Sequence, residues 1–145
     1  MWNTDKKNWT DAEDFCQQEG GHLASVHSNA TNDFVLEGMN RTGLDMAWLG
    51  GNDVEMEGTW KWVDCTPWQF KFWAPGEPNN GQRWPEHCLH HVFRYPPLKH
   101  LEHKWNDVPC SREQGFLCSK RICSGRKYQK TKVTNLLQGL CHQKR

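Results

Sequence analysis

Two short stretches of the chain concentrate oxygen-bearing side chains. Glu77-Pro78-Asn79 shares a loop with Glu86, and Trp105-Asn106-Asp107 lies further along. Glu77, Asn79, Glu86, Asn106 and Asp107 all offer hard oxygen donors. Ca²⁺ takes about six to eight such oxygens at roughly 2.3–2.6 Å. Three carboxylates against one divalent ion leave such a site slightly negative. The amides of Asn79 and Asn106 keep N–H donors for a polar co-ligand. Glu77 precedes proline, which biases it to extended backbone. A cis bond at Pro78 would aim Glu77 and Asn79 the same way. Read without a fold to join them, the same residues are also what ordinary polar loops contain.

Five histidines, His87, His90, His91, His100 and His103, fall in the same region. Neutral imidazole is a common zinc ligand, so a zinc enzyme is one rival reading. Histidines of no special role on strands and loops are the plainer one. Protonation of these groups and of Glu77, Glu86 and Asp107 would expel a cation in acid. No Ser-His-Asp arrangement or catalytic carboxylate pair is evident from the spacing. The residues therefore point to a binding module and not to an enzyme.

These loops need elements to hold them. At 145 residues the chain fits one domain. Thr10-Asp11-Ala12-Glu13 has the form of a capping box. Ala12, Phe15 and Cys16 follow as an apolar stripe that Gly20-Gly21 ends. Ser28 can cap a second helix with Phe34, Val35 and Met39 inward, ending near Gly43. Strands are expected at residues 23–26, 47–50, 59–63, 88–93 and 115–118, with another at Trp105. Between them, residues 64–86 lose all periodicity and hold Pro67, Pro75, Pro78 and Pro85. A stretch that long without structure inside a compact domain is either evidence against the assignment or functional. Trp60 and Trp62 share one strand face and are expected in the core. Trp68, Phe70, Phe72 and Trp73 would form the loop's underside, leaving Trp84 exposed and free to stack on a ring.

The net charge of +1 hides a split. Residues 1–119 carry 10 Lys/Arg against 17 Asp/Glu, a net of −7. Residues 120–145 carry 8 Lys/Arg and no acids, a net of +8. An acidic domain suits cations and is a poor partner for nucleic acid. The basic tail reads as a solvated appendage, with Arg126, Lys127, Lys130 and Lys132 able to attract anionic surfaces. No apolar run is long enough to span a membrane. Seven cysteines occur without a Cys-x-x-Cys pair, beside three sequons at Asn8, Asn29 and Asn40. Together they predict a secreted, oxidised protein. The start of the chain lacks a signal peptide, which suggests a fragment or an incomplete gene model.

The motifs together resemble a C-type lectin-like domain, of the fish-type secreted kind. They run Asn8-Trp9-Thr10-Asp11-Ala12 to Cys16, Gly21-His22-Leu23-Ala24-Ser25-Val26, and Trp48-Leu49-Gly50-Gly51. Glu77-Pro78-Asn79, Trp105-Asn106-Asp107, Cys110 and Cys118 complete the order over residues 2–119. The resemblance implies an α+β fold of two helices, small antiparallel sheets and a long calcium-binding loop. It implies disulfides Cys16–Cys118 and Cys88–Cys110, the first stabilising by about 4–5 kcal/mol in the chain-entropy picture. It also implies Ca²⁺ and sugar on Glu77, Asn79, Glu86, Asn106 and Asp107. Vicinal hydroxyls would complete the ion's shell, and the Glu-Pro-Asn order resembles that of mannose, fucose and N-acetylglucosamine binders. Glycans with equatorial vicinal hydroxyls are the expected partners, in a role such as pathogen or glycoprotein recognition. The rival within this fold binds protein, lipid or ice.

Several features depart from the family pattern. A second calcium site keeps Asp53 and Glu57 but has Asn80 and His87 where acids are usual, so it is expected to be weak. Almost nothing remains of the first strand beyond Trp2 to Thr4, so the strand ending at Cys118 is expected to present an open edge. Residues 94–103 form a longer connection than usual, stiffened by Pro96-Pro97. The pattern does not assign Cys65, Cys123 and Cys141, and a Cys123–Cys141 bond is one option.

Overall fold

The computed structural model describes residues 1–81 and 83–120. The basic tail, its expected helix over residues 133–140 and the Cys123–Cys141 bond lie outside the described residues. Strands β1 (Trp2–Lys7), β7 (Gln114–Ser119), β3 (Met46–Asn52), β5 (Cys88–Val92) and β6 (Lys104–Val108) line up in that order. Two-residue strands β2 (His22–Leu23) and β4 (Lys61–Trp62) join at β7 and β3. Helices α1 (Trp9–Gln18) and α2 (Asn29–Thr42) precede β3. The α+β class is as expected, but the sheet is mixed, because β3 and β7 run parallel through Ala47↔Gly115 and Trp48↔Phe116.

The first strand is fuller than its sequence suggests. β1 pairs with β7 at Trp2↔Leu117, Asn3↔Phe116 and Lys7↔Gln114, so the strand ending at Cys118 has partners on both sides. The pairing is a backbone one, which polar side chains in Asn3-Thr4-Asp5-Lys6 do not announce. Trp2 anchors it on α2. A Cβ at Gly38 would lie 2.2 Å from Trp2 Nε1, so only glycine permits that approach.

Helix α1 starts two residues earlier than the Thr10–Glu13 box implies. Asn8 is the cap: its Oδ1 accepts the Asp11 N–H at 2.9 Å and its Nδ2 donates to Asp11 Oδ2 at 2.8 Å. Glu13 is buried instead, accepting the Leu23 N–H at 2.8 Å and meeting His22 Nδ1 at 2.6 Å. In α2, capped by Ser28 as expected, Val35 and Met39 are buried but Phe34 is 55% exposed. Asn32 takes the inner place at that turn. Its Oδ1 accepts from Trp105 Nε1 at 3.1 Å and contacts His91 Nε2 at 3.0 Å, tying α2 to β5 and β6.

Trp60 and Trp62 are buried as expected. Trp62, Trp68, Phe70 and Trp73 all pack on Trp105, with ring centroids 5.5–5.9 Å apart. The aromatic run therefore forms a floor under β6. Residues 94–103 are not a plain connection. Pro96–Leu101 is a short 3-10 helix whose buried Leu101 packs with Val92 and Ala74. Disulfides Cys16–Cys118 and Cys88–Cys110 are both formed, with Cα–Cα distances of 5.4 and 5.1 Å.

Candidate functional site

Backbone pairing brings the two oxygen-rich stretches together. The Trp105 N–H donates to Phe72 O at 3.0 Å, and the Ala74 N–H donates to Trp105 O at 2.9 Å. Residues 72–74 thus run along β6, and the loop leaves them beside Asn106 and Asp107. The Glu77–Pro78 bond is cis, as expected. Asp107 then ties the loop down: its Oδ1 accepts the Asn79 N–H at 3.1 Å and its Oδ2 the Asn80 N–H at 2.8 Å. Within the loop, Asn79 Oδ1 accepts the Gly81 N–H and Asn80 Oδ1 the Glu86 N–H, each at 2.9 Å. Glycine is required at 81, where φ is +22° and a Cβ would stand 2.7 Å from the Glu86 carboxyl carbon.

The result is a cavity of about 260 Å³. Glu77, Asn79, Glu86 and Asn106 line it, and Asp107 lies buried behind them. All five expected residues are therefore in one place. Tyr95, Leu98 and Leu101 form an apolar flank, so the long connection borders the site.

The electrostatics are those of crowded acids. Burial first, then a hydrogen bond and charge repulsion with Asp107, then repulsion from Glu86, raise the Glu77 pKa to about 7. Glu86 is raised by burial and by Asp107, with Arg112 opposing. Two buried oxygens, Glu77 Oε2 and Asn106 Oδ1, have no hydrogen-bond partner. A buried acceptor left so is costly, and a cation is what both would accept.

Sequence reasoning missed two contributors. Arg112 lines the cavity from the turn after Cys110, and no motif marks it. His90, grouped above with a general histidine cluster, contacts Asn106 Nδ2 through Nε2 at 3.5 Å and Gln114 Oε1 through Nδ1 at 2.8 Å. Burial lowers its pKa to about 4 and that of His91 to about 3. Both stay neutral in mild acid, so neither serves the acid switch expected of the histidines. A neutral His90 can accept from the Asn106 amide, which leaves Asn106 Oδ1 for another partner.

A second group lies apart. His87 Nδ1 stands 3.0 Å from Asp53 Oδ1 and 3.3 Å from Glu57 Oε2. Asn80, the other residue expected there, has its side-chain oxygen on the Glu86 N–H.

The profile of the Lectin C-type domain matches residues 5–120. The chain belongs to the C-type lectin family. This lectin domain is 39% identical over 124 residues to a "C-type lectin mannose-binding isoform" of Oxyuranus scutellatus, covering 81% of this chain and 73% of that protein. It is 37% identical over 118 residues to human "C-type lectin domain family 4 member K", covering 79% of this chain and 33% of that longer protein. Among solved structures, the cow CD23 carbohydrate-recognition domain superposes with a TM-score of 0.70 at 30% identity, covering 84% of this chain and 87% of that one. Herring type II antifreeze protein superposes with a TM-score of 0.72 at 28% identity, covering 84% and 89%. C-type lectin domains usually bind Ca²⁺. No helix among the described residues is long and apolar enough to cross a membrane.

Proposed function

We propose that this C-type lectin is a Ca²⁺-dependent binder of mannose, fucose or N-acetylglucosamine, and acts by recognition without catalysis. Glu77, Asn79, Glu86, Asn106 and Asp107 are its ion and sugar ligands. The observation that carries the reading is the gathering of Glu77, Glu86 and Asp107 at one cavity, where burial first and then the neighbouring carboxylates raise the Glu77 pKa to about 7. The two orphaned oxygens, Glu77 Oε2 and Asn106 Oδ1, fit the same ion.

When bound, Ca²⁺ supplies a site to which two vicinal sugar hydroxyls coordinate. The chain's own residues give direction. Glu77 and Glu86 would accept hydrogen bonds from the hydroxyls, and the amides of Asn79 and Asn106 would donate to them. The order acceptor, proline, donor at 77–79 favours equatorial hydroxyl pairs of the mannose type. Trp84, 65% exposed, is free to stack on a neighbouring ring. The domain is taken to span residues 2–119, with 120–145 as a tail. Disulfides and sequons support secretion.

The test is chromatography on mannose-agarose. The protein should bind in Ca²⁺ and elute with a chelator. Retention that a chelator leaves unchanged counts against the proposal. The likeness to herring type II antifreeze protein favours a second reading, in which the same loop binds protein, lipid or ice. Free mannose displaces the ligand only under the first.

A further inference from the structure

Asp53, Glu57 and His87 stand outside the cavity proposed for sugar. In this family the position is one for calcium, but the residues present do not suit that ion. Calcium takes about six to eight oxygens. Here one donor is an imidazole nitrogen, and Asn80 offers a neutral amide oxygen, which also accepts the Glu86 N–H at 2.9 Å, where calcium favours a carboxylate.

We propose that Asp53, Glu57 and His87 form a binding site for a borderline divalent transition metal, zinc in the first place. Their donor atoms all lie within 4.8 Å of one another. The distances from His87 Nδ1, 3.0 Å to Asp53 and 3.3 Å to Glu57, are close to the edge of a zinc tetrahedron. With zinc–ligand bonds of roughly 2.0–2.2 Å, that edge is about 3.4 Å. One nitrogen and two carboxylate oxygens match the zinc donor set, and zinc accepts three protein ligands with an open fourth position.

The surroundings support the same ion. Asp53 is 1% exposed, and its second oxygen accepts the Gly58 N–H at 2.8 Å, which fixes the carboxylate. The Asp53 N–H in turn donates to His87 O at 3.1 Å, so the two ligands are joined through backbone as well. The Glu57 side chain is 53% exposed and that of His87 30%, leaving the open position to water.

The test is a titration of the metal-free full-length chain with Co²⁺, a coloured substitute for zinc, followed by competition with Zn²⁺ and with Ca²⁺. The readout is ligand-field absorption, which does not depend on sugar binding. A failure here is thereby separate from a failure on mannose-agarose. The expected result is one Co²⁺ band that Zn²⁺ abolishes and Ca²⁺ leaves. His87→Gln should remove it. His87→Asp should weaken Zn²⁺ more than about tenfold while strengthening Ca²⁺. His22→Gln, at the His22–Glu13 contact, should leave the Co²⁺ band unchanged. Should His87→Gln fail to fold, Glu57→Gln at an exposed position must still weaken Co²⁺. A Co²⁺ band that survives both substitutions, or that Ca²⁺ displaces as readily as Zn²⁺ does, overturns the proposal.

Discussion

The Asp107 carboxylate accepts the backbone N–H of Asn80 at 2.8 Å, across 27 residues of chain. Its other oxygen takes the Asn79 N–H at 3.1 Å. One buried side chain on β6 therefore fixes the backbone that presents Glu77 and Asn79. Asp107→Asn replaces one acceptor by an NH₂ group that faces an N–H. Leaving such a pair unmatched costs about 1–3 kcal/mol. The expected outcome is a lowered melting temperature without metal and Ca²⁺ affinity reduced at least tenfold. Calorimetry with Ca²⁺ checks it, and unchanged affinity would refute the tethering role.

Arg112 gives a prediction of opposite sign. It is exposed at the edge of the cavity and lowers the Glu86 proton affinity, so its charge reaches the place proposed for the ion. A fixed positive charge there repels Ca²⁺. Arg112→Gln should tighten Ca²⁺ binding by about two- to fivefold at low salt, and the gain should fade near 1 M salt, where the Debye length is about 3 Å. Titrations at two ionic strengths decide it. Weaker binding in the variant would mean that Arg112 holds Glu86 in place and that its charge matters less.

Acid should act on the protein in two separable ways. Glu77, raised to about 7, must lose its proton for Ca²⁺ to bind. Affinity is therefore expected to fall as pH drops below about 7, and mannose columns should release the protein near pH 5. Stability without metal follows other groups. His90 and His91 have folded-state pKa values of about 4 and about 3, lowered mainly by burial. A lowered histidine pKa gives stability that is complete above about 6.5 and is lost as pH falls through the folded value. Each approaches a slope of about 1.4 kcal/mol per pH unit in that window. Glu77 works the other way, adding stability as pH falls through 7, but it is partly exposed and so weighs less. The metal-free melting temperature should therefore drop between pH 6 and pH 4. Phe substitution at His91 should flatten the drop; an equally steep profile would place its origin elsewhere.

What was legible in the sequence was chiefly what side-chain chemistry dictates. Glu77, Asn79, Glu86, Asn106 and Asp107 stand together in space, and the aromatic run from Trp60 to Trp73 forms the expected floor. The misses have a common cause, which is that backbone geometry decides them. Thr10 looks like a cap, but the Leu23 N–H takes the Glu13 carboxylate, and Asn8 caps the helix instead. Phe34 looks like core, yet the inner stripe runs 32, 35, 39, and position 34 is out of phase with it. The polar strand β1 carries little apolar signal because its pairing is through N–H and C=O groups. Arg112 reaches the cavity only because the Cys88–Cys110 bond and the turn after it bring that segment back.

Two glycines in the loop separate backbone strain from site geometry. Gly76 has φ +87° with open space around its missing Cβ. Gly76→Ala should cost about 1 kcal/mol of backbone strain and leave Ca²⁺ affinity unchanged. At Gly81 φ is +22°, so a side chain is strained there too, and the added Cβ would also meet the Glu86 carboxyl carbon at 2.7 Å. The side chain of Glu86 must then turn away, because the Asn80 side chain holds its backbone N–H. Gly81→Ala should therefore weaken Ca²⁺ and mannose binding together by tenfold or more, while its melting temperature stays near that of Gly76→Ala. Parallel calorimetry and thermal melts on the two variants measure the difference. Equal Ca²⁺ affinities would show that Glu86 is not required where the loop puts it.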